Sequence, residues 1–127
     1  MCYAIEIASI EKYKSDVLVI PGVMTAAEAV AALEAGADFA KFFDLGFRGG
    51  EKYARFLCGG PFHGLLDIFV TGGVTLKKIK PYLSAGVKMV GSGFDVVLGD
   101  NYATQQEVPS PEMITGKLRE FLEEAMG

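Results

Sequence analysis

The chain has 127 residues, half of them hydrophobic and 22% charged, a composition that fits one globular domain over 1–127 and excludes disorder as the dominant state. Sixteen acidic against twelve basic side chains leave a net charge of -4, and the basic residues are scattered apart from Lys77, Lys78 and Lys80, so nucleic acid is not an expected partner. No apolar run approaches the roughly 18 residues that cross a bilayer. Two distant cysteines and one histidine exclude a zinc ribbon, a histidine-based triad and a disulfide framework, and a reducing cytoplasm is the expected setting.

In chain order, residues 3–7 alternate like a strand and 10–15 read as a short helix, a first βα unit within 1–16. Four β-rich runs of buried-strand length follow at 17–20, 39–43, 67–70 and 87–90. Helical spacing lies between them over 25–35, 51–57 and 75–84. Thr25 and Glu28 have the spacing of a capping box, and Gly36 stops that helix. Thr75 is placed to cap the helix that Gly86 ends, with Pro81 bending or shortening it. Residues 99–110 read as a polar connection. The final helix, 111–126, would bury Leu118, Phe121, Leu122 and Ala125 and expose Glu112, Glu120, Glu123 and Glu124. Strands apolar on both faces, alternating with helices, describe an α/β fold with a parallel sheet.

Ligands of parallel α/β folds bind at the carboxyl ends of the strands, where loops and helix N-termini converge. Lys41 is the most informative residue there. Alternation puts Phe39, Lys41 and Phe43 on one face, and a lysine among phenylalanines loses hydration, which favours the neutral amine that attacks carbonyls. The alternative is a lysine whose stem packs in the sheet while its ammonium reaches Asp44 or solvent. Gly72-Gly73 and Gly91-Ser92-Gly93 follow successive strands, and glycine there lets backbone amides approach an anion, although a double glycine also suits a plain βα turn. His63 falls in a surface loop at the opposite end, and Cys58 reads as a packing residue.

Four blocks then resemble the 2-keto-3-deoxy-6-phosphogluconate and 4-hydroxy-2-oxoglutarate aldolases. They are Val19-Ile20-Pro21-Gly22-Val23-Met24-Thr25, Ala35-Gly36-Ala37-Asp38-Phe39-Ala40-Lys41-Phe42-Phe43, Gly59-Gly60-Pro61-Phe62 leading to Thr71-Gly72-Gly73-Val74-Thr75, and Ala85-Gly86-Val87-Lys88-Met89-Val90-Gly91-Ser92-Gly93. The resemblance covers 17–98 and implies βα units of a TIM-type barrel, four or five parallel strands forming a half or incomplete barrel. It implies that Lys41 forms an imine with a 2-keto acid, needing neither metal nor cofactor because the imine withdraws electrons. It further implies that Thr71, Gly72, Gly73, Gly91, Ser92 and Gly93 hold the substrate and its phosphate, with Pro21, Thr25 and Phe43 lining the pocket.

Three departures stand out. The family's Lys-Phe-Phe-Pro is Lys41-Phe42-Phe43-Asp44 here, its proline after Phe69 is Val70, and its serine after Gly-x-Gly is Phe94. Nothing before Val17 matches the family's proton-shuttling glutamate block, so Glu6, Asp44 or water would have to serve. An incomplete barrel exposes an apolar face and two strand edges. A homo-oligomer is therefore expected, either a dimer completing a barrel or a trimer as in the family. The expected activity is that of a class I aldolase releasing pyruvate from a 2-keto-3-deoxy sugar acid. The rivals are an inactive half barrel that keeps a phosphate or sugar-acid binding face, and an open flavodoxin-like sheet binding a phosphate-bearing cofactor.

Overall fold

Runs of residues apolar on both sides pair as parallel strands, and the computed structural model, which describes residues 7–99 and 109–127, contains four of them in one sheet. They are β1 (Gly22–Val23), β2 (Ala40–Phe43), β3 (Ile68–Thr71) and β4 (Met89–Gly91), in the spatial order β1-β2-β3-β4. Parallel neighbours require crossovers, supplied by α2 (Ala26–Glu34), α3 (Glu51–Cys58) and α4 (Leu76–Ser84). Helix α1 (Ile7–Tyr13) precedes the sheet, and α5 (Phe94–Leu98) and α6 (Pro111–Met126) follow it. This is an α/β fold of the partial TIM-barrel kind. Its strand order never reverses, so the described sheet has no switch point of the sort a flavodoxin-like cofactor site needs.

The pairing register decides what each face of the sheet carries. Gly22 pairs with Lys41, Lys41 with Phe69 and Phe69 with Met89, while Phe43 pairs with Thr71 and Thr71 with Gly91. Paired residues point to the same side. The other side holds Ala40, Phe42, Ile68 and Val70, all 1% exposed or less, packed beneath the helices with Ala29, Ala32, Leu57 and Ile79. One face is thus closed by helices. Among the described residues no helix covers the face bearing Lys41, which is bare in that sense, and Phe43 on it is 67% exposed.

Local signals set most boundaries. Thr25 caps α2 by accepting from the Glu28 N–H, while the Glu28 carboxylate accepts from the N–H groups of Met24 and Thr25 at 2.7 and 2.8 Å. These bonds, the one from Met24 foremost, hold the Glu28 carboxyl below its ordinary value. Gly36 and Gly86 follow the last turns of α2 and α4, as the sequence implied.

Several expectations are corrected. Residues 17–20 are not a strand: Val17 and Leu18 are 59% and 62% exposed, and the ladder begins only at Gly22. The intervening chain runs beside the start of β2 through single bonds. Val19 donates to the Asp38 carboxylate at 2.7 Å and accepts from the Asp38 N–H, and Pro21, which has no N–H, accepts from Lys41. Helix α1 starts at Ile7, earlier than the sequence suggested, and the remainder of the expected strand 3–7 lies outside the described residues. Thr75 occupies the N-cap of α4 without a side-chain bond. On α6, only Phe121 of the four residues expected to be buried packs against the core, and Leu118 and Leu122 are exposed. That helix lies over α4, with Lys80 3.5 Å from Glu124, and therefore presents one narrow row inward. The expected connection 99–110 falls mostly outside the described residues.

Phe42→Ala should cost about 3–5 kcal/mol in urea unfolding, whereas Phe43→Ala should cost well under about 1.5 kcal/mol, because only the first leaves a cavity. Thr25→Ala should cost about 1 kcal/mol at neutral pH. Since folding lowers the Glu28 carboxyl, its contribution is present above the unfolded value and lost as pH falls through the folded one. Glu28→Gln should accordingly flatten the acid limb of the stability profile.

Candidate active site

A lysine in the middle of a strand has its direction fixed by the pleat, and Lys41 projects from the bare face of β2. Its Nζ lies 5.7 Å from the centroid of the Phe69 ring, the residue it pairs with on β3. That arrangement attracts an ammonium to the ring face and holds the amine close to the sheet. Among the described residues Lys41 forms no ion pair with Asp44, so of the two destinations named for a packing lysine only solvent remains.

Asp44 instead shapes the strand end. It has φ 50, the only positive φ outside glycine among the described residues, and its N–H donates to the Thr71 carbonyl at 2.7 Å. Its carboxylate accepts from the Gly46 N–H at 3.1 Å. Proline, with φ held near about -65° and no N–H, can make neither the turn nor the bond to β3. Aspartate here therefore latches the end of β2 to the end of β3. Burial, and after it the Asp44 charge, push the Tyr82 hydroxyl of α4 up. The Asp44 Oδ1 stands 3.9 Å from where a Cβ on Gly73 would be, at the turn after β3.

Beyond Phe43 an open groove of about 420 Å³ runs along the carboxyl ends of β3 and β4. It gathers Phe43, Phe69, Thr71, Gly72, Gly73, Gly91, Ser92 and Gly93, so the residues expected to hold substrate do converge. Gly72 has φ 84, and a Cβ there would stand 2.9 Å from the Asp44 backbone nitrogen, so the turn requires glycine. A Cβ on Gly91 would press on Phe69 and Thr71 at 3.0 Å. Among the described residues the Thr71 hydroxyl is buried without a hydrogen-bond partner, a state that costs about 1–3 kcal/mol and that a bound polar group would relieve.

Other expected members are placed differently. Ser92 lines the groove, but its hydroxyl donates to the Val74 carbonyl at 2.6 Å and pins the β4 turn to the β3 turn. Lys41, Pro21 and Thr25 do not line the groove, and the Thr25 hydroxyl is committed to capping α2. Glu6 and Cys2 lie outside the described residues. His63 is exposed, and burial pushes the half-buried Cys58 thiol up, away from the reactive thiolate. Sequence reasoning missed Asp95, which lines the groove two residues past Gly93. The signal was the same Gly-Ser-Gly turn read two residues further.

Among the described residues, no cluster of three or more ligating side chains suits a metal ion, and no helix is long and apolar enough to cross a membrane.

Comparison with known proteins agrees with this layout. The family model for KDPG and KHG aldolase matches residues 6–108, extending beyond the 17–98 span of the motifs at both ends. No curated protein matches the chain. A solved structure described as native KDPGal is 26% identical, with a TM-score of 0.75 over 96% of this chain and 55% of its own. A cube-shaped, highly porous protein cage, designed by fusing symmetric oligomeric domains, is 26% identical, with a TM-score of 0.74 over 96% of this chain and 42% of its own. The chain thus spans about half the length of the structures it matches. With the family model covering most of the sequence and the fold agreeing with it, the chain belongs to the KDPG and KHG aldolase family.

Proposed function

We propose that this chain carries the imine-forming strands of a class I aldolase acting on a 2-keto-3-deoxy sugar acid, with pyruvate as one product. The observation that carries the reading is Lys41 on the bare sheet face, against Phe69 and one strand step from a groove with an unpartnered Thr71 hydroxyl. The neutral amine adds to the C2 carbonyl, and loss of water gives the imine. The C3–C4 bond breaks, its electrons flow into the imine to form an enamine, and the C4 hydroxyl gives up its proton as the aldehyde leaves. Protonation at C3 and hydrolysis then return pyruvate and the free lysine.

The base for the C4 hydroxyl belongs to whatever covers this face. Further copies of the chain, one completing a barrel as a dimer or two forming a trimer, are the partner implied by Phe43 standing 67% exposed beside the groove. One observation favours a second reading, a binding face without turnover. Asp38 and Asp44, the acids nearest Lys41 in sequence, are both engaged, Asp38 by the Val19 N–H and Asp44 by the Gly46 N–H.

Pyruvate with sodium borohydride should add the mass of one reduced imine to the intact protein, and Lys41→Met should abolish the adduct. An unchanged adduct in that variant would contradict the reading. Thr71→Val should leave the unfolding midpoint unchanged or raised, because it removes an unpaired buried hydroxyl, while the pyruvate concentration for half-maximal trapping rises about fivefold.

A further inference from the structure

Helix α3 begins without a side-chain cap. Gly50 holds its N-cap position, and among the described residues the N–H groups of Glu51 and Tyr53 find no acceptor. The turn leading into it passes through Gly49 and Gly50 at φ 100 and 57, and with Lys78, Pro81 and Tyr82 of α4 it walls a cleft of about 380 Å³. No residue lines both this cleft and the groove at the ends of β3 and β4. Tyr82 is 3% exposed, yet its hydroxyl reaches the cleft, 3.7 Å from where a Cβ on Gly50 would stand, and bonds to none of the described residues. Buried hydroxyls ordinarily have a partner. Burial, and after it the Asp44 charge, keep this one protonated and so a donor. Lys78 adds an ammonium, of which one proton goes to the Gly73 carbonyl at 2.8 Å and two remain. The neighbouring acids are engaged: Glu51 accepts from Arg55 at 2.7 and 2.9 Å, and Asp44 from the Gly46 N–H at 3.1 Å.

We propose that this cleft is a second ligand site, outside the imine site, which binds the phosphate group of a small metabolite through the Tyr82 hydroxyl, the Glu51 and Tyr53 N–H groups and Lys78. It does not depend on the imine reading of Lys41. The N-terminus of α3 carries partial positive charge, and with the Lys78 ammonium it offsets the Asp44 carboxylate. Three kinds of donor suit a group with three terminal oxygens, and bonds to an ionised acceptor are the stronger ones. Glycine at position 50 belongs to the design, since a side chain there would occupy the space beside the Tyr82 hydroxyl. The cleft is larger than one phosphate, so it has room for the organic part of a monoester along Pro81.

The test is a titration of the full chain with inorganic phosphate at constant ionic strength, followed by amide NMR. It reads two sets of resonances: Glu51 and Tyr53 at the cleft, and Gly73 and Gly93 at the groove. The Glu51 and Tyr53 amides should move along a saturating curve, and Tyr82→Phe should raise its half-saturation about fivefold, the loss of one hydrogen bond. The response of Gly73 and Gly93 should be the same in both proteins. Tyr82→Phe removes one unpartnered oxygen and keeps the buried ring, so the fold is retained, which the amide spectrum of the free variant checks. Glu51 and Tyr53 amides that stay still, whether or not the groove glycines respond, would overturn the proposal. So would a cleft curve that Tyr82→Phe leaves in place.

Discussion

The parallel pairing of β2 with β3 is the constraint on which the rest depends. Its register sets Lys41 against Phe69 and Phe43 against Thr71, so the amine, the aromatic ring beneath it and the orphan hydroxyl share one side. A slip of one residue would turn Lys41 into the helix layer and Phe42 out of it. Fully buried Phe42, Ile68 and Val70 on the opposite side prevent that slip, because their burial contributes several kcal/mol that the slipped sheet would lose. Packing on the helix side thereby fixes the chemistry on the bare side.

Strand ends then turn a face into a site. The left-handed Asp44 ties β2 to the Thr71 carbonyl, Gly72 closes over the Asp44 backbone, and Ser92 joins the β4 turn to Val74. These links connect three successive strand ends with backbone and short side chains, leaving the groove between them lined by glycine and aromatic surface. The departure from the family's proline at Asp44 is accommodated because aspartate supplies an N–H and a local carboxylate bond that proline lacks.

Much of this was legible in the sequence because the signals were local. The Thr25–Glu28 capping box, the glycines after α2 and α4, and the alternation around Lys41 are each settled within a few residues, and the structure reproduces them. Boundaries set by tertiary contacts were not legible. Residues 17–20 have strand composition, yet Asp38 and Pro21 organise that stretch through isolated bonds. Leu118 and Leu122 have helical spacing, but α6 crosses its neighbours with too narrow a contact to bury them. At the site, the glycines could be counted from sequence, whereas the commitment of Ser92 to Val74 and the position of the Asp95 carboxylate over Gly93 required coordinates.

The central claim is that the bare face works as an electron sink through Lys41, and the most direct measurement is exchange of the pyruvate methyl protons with deuterium oxide, followed by proton NMR. An imine at Lys41 makes those protons acidic through the enamine, so the account predicts exchange above the buffer rate that returns to the buffer rate in Lys41→Met. Exchange at the buffer rate with the folded, unsubstituted protein would contradict it.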